Sequence, residues 1–367
     1  MGSTDRKWIS HLCYCYFRLG KAMMDLPIAE RILLGLFLRS STPNDMLGEL
    51  KPEWNENTRL GLKDKCSIFN DSTRGELALA DIFPWTEELS EAIDHISFCE
   101  SFFIQPDLYL RIRPGMQAIT EQKLAKSGIT FNMIGEDCVA LSNTVKIDTI
   151  LELDKEAVIQ DLNSQRVGEM MKIVRQEFAQ KEDKLLNRVW DCCAASGGKA
   201  IMAYDLMPAI DLTVSDIRES ILANLERRFK NAEIRKYHSF IIDLSNSQFL
   251  SGQQPGSIST FHMIIADVPC TGSGTWSRTP EQLFYFDRGK IADYAGLQKK
   301  IVSTVIPQLE PGGYLLYSTC SVFKKENEEI VGFIQEKNNL ELIGMKLLKG
   351  YDKKADTMFS ALLQKPL

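Results

Sequence analysis

The chain has 367 residues, with 43 Lys and Arg against 49 Asp and Glu, and its formal net charge is -6. Hydrophobic residues make up 44% and charged residues 25%, which is typical of globular proteins and excludes disorder, collagen and coiled coil as descriptions of the whole chain. At ~100–200 residues per domain, this length predicts two or three domains.

The sequence carries no recognisable targeting or membrane signal. No apolar run approaches the roughly 20 residues of a membrane span, and the first residues lack the positive-then-apolar order of a secretory signal. The 9 cysteines include no Cys-x-x-Cys pair and fit neither a disulfide framework nor a zinc site, and the 4 histidines are scattered. We therefore expect a cytoplasmic, monomeric protein with reduced thiols, no metal and no membrane partner.

Residues 1–88 have the periodicity of helices. Trp8 and Leu12 recur at helical spacing, as do Ile32 and Leu36. We predict a small helical domain here. Taken alone, it would be interpreted as a scaffold or interaction module.

Residues 89–158 predict a small α/β unit. Residues 108–113 alternate like a strand and stop at a Pro-Gly turn. A helix is expected at 118–126, and short strands at 131–134 and 139–141. This unit has about half the size of an ordinary domain.

Residues 159–367 alternate between apolar strands and helices after a long amphipathic helix at 161–178. Short, uninterrupted apolar strands with helices between them predict a parallel sheet covered on both faces. The strands are expected at 188–191, 210–215, 240–242, 263–266 and 314–317, with two more at 340–347 and 358–363. In such sheets, ligands bind beyond the carboxyl ends of the strands.

The first strand leads into Asp191-Cys-Cys-Ala-Ala-Ser-Gly-Gly-Lys199. Small residues let the backbone approach a ligand closely, and the following helix presents free N–H groups to a carboxylate or phosphate. Gly197 and Gly198 alone would also suit a tight turn without a ligand. Asp191 at the strand tip and the positive Lys199 favour a ligand site.

Acidic residues follow the next two strands. Asp216 is placed to accept hydrogen bonds from the hydroxyls of a ribose, or to cap the next helix. Asp243 lies within reach of an adenine edge, or serves as a turn residue. Acidic residues at the ends of three successive strands, Asp191, Asp216 and Asp243, favour a nucleoside pocket. Because no Gly-x-Gly-x-x-Gly occurs here, S-adenosylmethionine is favoured over a nicotinamide dinucleotide.

Two cysteines follow the next two strands. Cys270 lies in Asp267-Val-Pro-Cys-Thr-Gly-Ser-Gly-Thr275, and Cys320 lies in Ser318-Thr-Cys-Ser321. One such cysteine would be interpreted as a small buried apolar residue. Two on neighbouring strand ends, each among small polar residues, are hard to explain by packing. A disulfide is a competing interpretation, which a reducing compartment disfavours.

These blocks resemble the Nop/Sun family of RNA cytosine-C5 methyltransferases, and most closely the bacterial Sun or Fmu type that acts on small-subunit ribosomal RNA. The 191–199 loop is similar to the family's D-x-C-A-A-P-G-G-K block, with Ser196 in place of the proline. The 267–275 and 318–321 segments are similar to its D-A-P-C-S-G-x-G and S-T-C-S blocks, the latter followed by Glu326-Asn-Glu328. The N-terminal residues are similar to part of a NusB-like helical domain, and we expect the similarity to begin after that domain's first helix.

The resemblance implies a fold and three domains. We expect a Rossmann-like S-adenosylmethionine-dependent methyltransferase sheet over 159–367, a NusB-like helical domain over 1–88, and a small α/β RNA-facing subdomain over 89–158. The implied cofactor is S-adenosyl-L-methionine. The implied cofactor-binding residues are Cys193, Ala194, Ala195, Gly197, Gly198, Lys199, Asp216, Asp243 and Asp267.

The resemblance also implies a mechanism. Cys320 would be the nucleophile that adds to cytosine C6, Cys270 would assist proton removal and release, and Asp267 would hold the base. Arg111 and Arg278 are expected to contact RNA phosphate, although ordinary surface roles compete with this for basic residues. The acidic net charge argues mildly against a nucleic-acid partner, but a local basic groove can exist on an acidic protein.

Two other functions compete with RNA cytosine-C5 methylation. One is methylation of an amino nitrogen, which usually employs an Asn/Asp-Pro-Pro-aromatic block that Cys270 interrupts. The other is a non-catalytic RNA-binding or ribosome-assembly protein that keeps the fold. Retention of both cysteines, Asp267 and Lys199 argues against the latter.

Overall fold

The computed structural model describes residues 2–73, 76–180, 187–207, 209–246 and 260–367. The helices are α1 Ser3–Arg18, α2 Ile28–Arg39, α3 Asp45–Leu50, α4 Pro52–Glu56, α5 Leu62–Thr73, α6 His95–Ser101, α7 Gln117–Lys126, α8 Leu162–Arg166, α9 Gly168–Gln180, α10 Gly198–Leu206, α11 Glu219–Asn231, α12 Pro280–Tyr285, α13 Gly289–Val305 and α14 Glu328–Asn338. The strands are β1 Leu108–Ile112, β2 Phe131–Met133, β3 Cys138–Leu141, β4 Ala157–Ile159, β5 Asn187–Asp191, β6 Ile210–Asp216, β7 His238–Ile241, β8 Phe261–Asp267, β9 Leu309–Thr319, β10 Glu341–Leu348 and β11 Met358–Gln364.

The larger sheet has seven strands in the order β10-β11-β9-β8-β5-β6-β7. Strands β9, β8, β5, β6 and β7 are parallel. The prediction of a parallel sheet is wrong for β11, which runs antiparallel to both of its neighbours. The connection between β10 and β11 is too short for the crossover that a parallel pair needs. Strand order reverses beside β5, so the carboxyl ends of β5, β6, β8 and β9 surround the expected ligand site.

The smaller sheet has four antiparallel strands in the order β2-β3-β1-β4. Strand β4 was not predicted, because three residues carry too little periodicity to reveal a strand. The predicted helix at 161–178 is divided into α8 and α9 at Val167. There the Met170 N–H donates a hydrogen bond to the Val167 carbonyl, three residues back instead of four. The domain boundaries after residues 88 and 158 stay a prediction.

The N-terminal helices pack against the loops that follow β8 and β9. Phe83 stacks on Phe323 with ring centroids 5.6 Å apart, and Phe323 stacks on Phe286 at 5.6 Å. Trp276 lies 4.6 Å from Phe286 and is buried, so it is a core residue and not a stacking platform for a base. This aromatic cluster holds the segments that follow the two candidate catalytic cysteines.

A buried ion-pair network joins the smaller sheet to α10. Arg111 on β1, and Arg113 just beyond the end of that strand, both pair with Asp205 on α10, at 2.7 Å and 2.6 Å. Arg111 also donates to the Gln160 side chain at 2.9 Å. Because α10 directly follows the predicted cofactor loop, this network fixes the smaller sheet against the helix that carries that loop.

No helix in the described ranges combines the length and hydrophobicity needed to cross a membrane. Within the same ranges, no three His, Cys, Asp or Glu side chains come together in an arrangement suited to a metal ion. All nine cysteines are free thiols.

We expect the Asp205 carboxylate, which pairs with both arginines, to stabilise the fold. Replacing Asp205 by alanine leaves two arginines with a buried positive charge and no carboxylate, so we expect the free energy of unfolding to fall by about 3 kcal/mol. Urea denaturation measures this change. The matched control is Asp71→Ala at an exposed helical position, which should stay within about 0.5 kcal/mol of the parent. A loss for Asp205→Ala no larger than the control's would contradict the structural role of the network.

Candidate active site

Two adjoining cavities open at the carboxyl ends of the parallel strands. The larger has a volume of about 500 Å³ and the smaller about 280 Å³. Ala195, Asp267 and Cys320 line both of them. Of the other predicted site residues, Cys193, Asp216, Asp243 and Cys270 line the larger cavity, and Ala194, Gly198 and Lys199 line the smaller. The fold therefore brings together ten of the residues singled out from the sequence.

The loop from β5 to α10 is shaped by two left-handed residues. Ala195 has φ 46° and Gly197 has φ 85°. A Cβ at Gly197 would lie 3.0 Å from both the Leu225 and Phe229 side chains of α11, so glycine is required there for packing. Gly197 lines neither cavity. Its predicted role in cofactor binding stays a prediction, and the structure gives it a backbone role.

Asp216 ties this loop to the next strand. Its carboxylate accepts hydrogen bonds from the backbone N–H of Ala195 at 3.1 Å and of Arg218 at 3.0 Å. Asp243 accepts from the backbone N–H and the hydroxyl of Ser245, at 2.9 Å and 2.6 Å. Both acidic residues are thus held rigidly while lining the larger cavity. Ile217, which is 58% exposed, lines the same cavity and gives it an apolar wall that the sequence analysis did not identify.

Asp267 lies at the boundary between the cavities and is held from two sides. The Lys199 ammonium lies 2.6 Å from one carboxylate oxygen, and the Ser318 hydroxyl donates to the other at 2.9 Å. Lys199 is itself buried. This geometry fixes the orientation of the carboxylate and places a positive charge beside it. A base in the smaller cavity would meet a preorganised acceptor there.

Cys270 and Cys320 face one another across the sheet edge, with their sulfur atoms 3.3 Å apart. This separation is longer than the ~2.05 Å of a disulfide bond. The hydrogen bond with Cys320, followed by burial, raises the pKa of Cys270 well above its ordinary value. The shift favours the protonated thiol of Cys270, and either sulfur can donate the hydrogen bond between them. Only Cys320 of the two reaches both cavities.

Glu326 holds the two cysteine loops together. Its carboxylate accepts from the backbone N–H and hydroxyl of Thr271, at 2.8 Å and 2.6 Å, and from the Ser321 hydroxyl at 2.7 Å. Gln298 donates to it at 3.1 Å. Burial raises the pKa of Glu326, and these four donors oppose that shift. The sequence analysis noted Glu326 within a family block and gave it no role.

Asp191, whose place at the strand tip favours a ligand site, is not among the predicted cofactor-binding residues. It lines the smaller cavity, is 1% exposed, and neither oxygen of its carboxylate has a hydrogen-bond partner. Burial, and then the neighbouring charge of Asp267, raise the pKa of Asp191 to about 8. A buried carboxyl without a partner is costly, so its position facing a cavity indicates a polar or cationic ligand.

The two arginines predicted to contact RNA have protein partners. Arg111 is 5% exposed and lies in the ion-pair network with Asp205, away from both cavities. Arg278 pairs with Asp161 at 2.9 Å and Asp356 at 2.7 Å. These contacts give both arginines a structural role, and their contact with RNA stays a prediction. The half-buried Arg278 is the more accessible of the two, and both of its carboxylate partners line the smaller cavity.

The predicted substrate side of the site is therefore defined by cavities and not by these arginines. The sequence contains one sign of a buried ion pair. Arg111 and Arg113 stand at alternate positions of the predicted strand 108–113, so their side chains point to the same face of the sheet. Their common partner, Asp205, lies 92 positions beyond Arg113. No local sequence pattern identifies a contact at that separation.

The sequence of the chain is similar to those of known proteins. The model of the 16S rRNA methyltransferase RsmB/F family matches residues 178–363, about half of the chain. Ribosomal RNA small subunit methyltransferase B of Xanthomonas campestris is 27% identical over 252 residues, which cover 65% of this chain and 52% of that protein. The chain thus spans about half the length of this relative, and less of others.

Solved structures share the fold. The crystal structure of PH0851 has a TM-score of 0.67 at 19% identity and covers 93% of this chain and 83% of that chain. NSun6 from Pyrococcus horikoshii, crystallised with SFG, has a TM-score of 0.60 at 15% identity and covers 74% of this chain and 94% of that chain. The predicted Rossmann-like fold of S-adenosylmethionine-dependent methyltransferases is confirmed. The family resemblance is confirmed as well, and the chain belongs to the 16S rRNA methyltransferase RsmB/F family.

Proposed function

We propose that this protein transfers a methyl group from S-adenosylmethionine to C5 of a cytosine in RNA, with small-subunit ribosomal RNA as the substrate. The observation that carries the proposal is the pair of thiols, Cys270 and Cys320, 3.3 Å apart where two cavities meet. Family membership supports the substrate class. The larger cavity suits the nucleoside part of the cofactor, and the smaller cavity suits the cofactor's amino-acid end together with an extruded base.

The residues of the site fit S-adenosylmethionine. Asp216 and Asp243 offer carboxylates to a ribose and an adenine edge, and Ile217 offers an apolar surface to the ring. The partnerless carboxyl of Asp191 fits the cofactor's ammonium group, whose positive charge would favour the ionised carboxylate. A volume of about 500 Å³ lies within the range for small-molecule sites. When bound, S-adenosylmethionine supplies the electrophilic methyl group.

Cys320 supplies the nucleophile that C5 methylation requires. Cytosine C5 is a poor nucleophile within an aromatic ring. Once the Cys320 thiol has lost its proton to solvent, its sulfur bonds to C6, the C5–C6 π bond breaks, and its electron pair moves to C5, which can then take a methyl group. Asp267 accepts a hydrogen bond from the base's amino group, while Lys199 offsets the charge at the carboxylate. Both faces of the base must be reached, so the base leaves any stack.

Cys270 assists the second half of the reaction. After methylation, C5 carries both a proton and the new methyl group. Removal of that proton returns the electron pair to the ring, and the bond between C6 and the Cys320 sulfur breaks. Once the Cys270 thiol has lost its own proton to solvent, its raised pKa makes the sulfur a strong base, which suits it to take up the C5 proton.

The proposal is tested with purified protein, labelled S-adenosylmethionine and small-subunit ribosomal RNA that lacks its own modifications. The RNA is digested and the labelled nucleoside is identified. We expect the label in 5-methylcytidine. Label in an N-methylated nucleoside would contradict the two-cysteine mechanism. Cofactor binding without any label on free RNA or on a subunit intermediate would favour a non-catalytic RNA-binding or assembly role.

Removing the nucleophile should separate chemistry from binding. For Cys320→Ala we expect methyl transfer to fall below detection, because no bond to C6 can form, while the Kd for S-adenosylmethionine changes less than about threefold. Transfer is measured by filter binding and the Kd by calorimetry. The matched control, Cys13→Ala at an exposed position, should keep full activity. Turnover by Cys320→Ala near the parent rate would exclude the assignment.

Removing the second thiol should trap the intermediate. Without Cys270, loss of the C5 proton is slowed, so Cys270→Ala should accumulate a protein–RNA adduct that survives denaturant. Denaturing electrophoresis with labelled RNA measures it. The double variant Cys270→Ala/Cys320→Ala should form none. An adduct in the double variant, or its absence in the single variant under turnover conditions, would refute the release role.

The buried carboxyl at position 191 makes the stability of the cofactor-free protein depend on pH. The folded pKa of about 8 lies above the unfolded value, so the folded state binds more protons, and stability falls as pH rises from about 4 to 8. Asp191→Asn should remove this component, flatten the dependence of Tm on pH in that interval, and raise Tm at pH 8.

The same substitution should weaken cofactor binding by about tenfold or more, because the ammonium loses its carboxylate. Calorimetry measures the Kd, and differential scanning fluorimetry at several pH values measures Tm. Asp211→Asn, at a half-exposed position on β6, is the control. An unchanged Kd for Asp191→Asn would show that Asp191 does not face the cofactor.

A further inference from the structure

Arg228 on α11 bridges the predicted cofactor loop and the smaller sheet. Its guanidinium donates to the carbonyl oxygen of Ser196 at 2.8 Å and to the Ser196 hydroxyl at 3.0 Å. On its other side, Nε and Nη2 donate to one carboxylate oxygen of Asp154, at 2.9 Å and 2.7 Å. The two charged side chains are only 17% and 10% exposed, so solvent screens the pair weakly.

Ser196 lies between two residues of the loop that have left-handed backbone conformations. It follows Ala195, whose φ of 46° is unfavourable for a residue with a side chain, and precedes the left-handed Gly197. The resembled family carries a proline at this position, and proline restricts the backbone by itself. Serine does not, so the hydrogen bonds from Arg228 supply the restraint that the residue type lacks.

Asp154 is itself held firmly by the smaller sheet. It is buried, and it has a left-handed backbone with φ 67°. Its N–H donates to the Ala157 carbonyl at 2.8 Å, and its own carbonyl accepts from Arg113 at 3.1 Å. Arg113 in turn pairs with Asp205 on α10. The residue that anchors Arg228 is therefore held in place by the connection between the smaller sheet and α10.

We propose that Arg228 is a positioning residue that makes cofactor affinity depend on Asp154, by fixing the loop at Ser196 in its ligand-binding shape. The inference rests on the proposed binding of S-adenosylmethionine. Arg228 and Ser196 line the smaller cavity, whereas Asp154 lines neither. An effect of Asp154 on cofactor affinity must therefore pass through Arg228, which distinguishes positioning from direct contact with the ligand.

The test is a double-mutant cycle on the full chain with S-adenosylmethionine as the titrant in calorimetry. Arg228→Met and Asp154→Asn should each raise the Kd about tenfold, the effect of losing a charge-assisted hydrogen bond. The Kd of the double variant should also rise about tenfold, and not about a hundredfold, because both substitutions break the same bridge. Asparagine keeps the shape of Asp154 and tolerates its left-handed backbone, so this variant preserves the local fold.

Two further variants sharpen the test. Arg227→Met, at the neighbouring exposed position of α11, is the matched control and should stay within twofold of the parent Kd. Arg228→Lys offers one ammonium that cannot bridge both partners, so it should give an intermediate Kd. In steady-state assays, Arg228→Met should raise the KM for the cofactor while kcat changes less than about threefold.

The outcomes separate this inference from the proposed function. A parental Kd for Asp154→Asn together with a raised Kd for Arg228→Met would show direct ligand contact and overturn the positioning role. Additive effects of the two substitutions on the free energy of binding would overturn it too. Unchanged affinity in both variants would overturn it as well. Normal cofactor binding with the predicted coupling, but methylation of a nitrogen, would overturn the proposed cytosine-C5 reaction and support this inference. A parent protein that binds no S-adenosylmethionine would overturn both.

Discussion

The buried carboxylate of Glu326 is the interaction on which the candidate chemistry depends. Two sulfur atoms can lie 3.3 Å apart at one sheet edge only if the loops carrying them are fixed relative to each other. Thr271 follows Cys270 and Ser321 follows Cys320, and both donate to this one carboxylate. Because Glu326 is buried and accepts from four donors, either loop can move only by leaving polar groups without partners.

The same loops are supported from behind by residues distant in sequence. Gly274 approaches the chain near Thr357 so closely that a Cβ would lie 2.0 Å from the Thr357 carbonyl oxygen, and its N–H donates to the Cys320 carbonyl at 2.8 Å. The segment after Cys320 pairs with the N-terminal region, where the Ser90 N–H donates to the Val322 carbonyl at 2.9 Å. The N-terminal helices thus contribute to the site without lining it.

Much of the architecture follows from local patterns. Parallel strands have short apolar runs, and the functional residues follow the strands, so Asp216, Asp267, Cys270 and Cys320 could be assigned to one sheet edge before the fold was known. The antiparallel direction of β11 could not be assigned, since an apolar run is the same in either direction. Strand β4 and the division between α8 and α9 could not be predicted for a different reason, which is that their local sequence signal is weak.

What sequence reasoning could not supply is the set of polar contacts between distant segments. Arg111 was assigned to RNA because a basic residue on a predicted RNA-facing strand suggests phosphate contact, yet its partner is Asp205 on another element. The roles of Glu326, Arg228 and Asp191 depend on which groups come together in three dimensions and on which are left without a partner. Burial and hydrogen bonding are properties of the packed chain, so they become visible only in the structure.

The central claim is that Cys320 attacks C6 of a cytosine beside the cofactor cavity. The most direct measurement uses the unaltered protein, S-adenosylmethionine and a ribosomal RNA fragment whose cytosines are replaced by 5-fluorocytosine, which has no C5 proton to lose. The covalent protein–RNA complex is digested, and the modified peptide is sequenced by mass spectrometry. The account predicts one cross-linked peptide, modified at Cys320 and dependent on the cofactor. Modification at Cys270, or no covalent complex with an RNA that the enzyme methylates in its unfluorinated form, would contradict it.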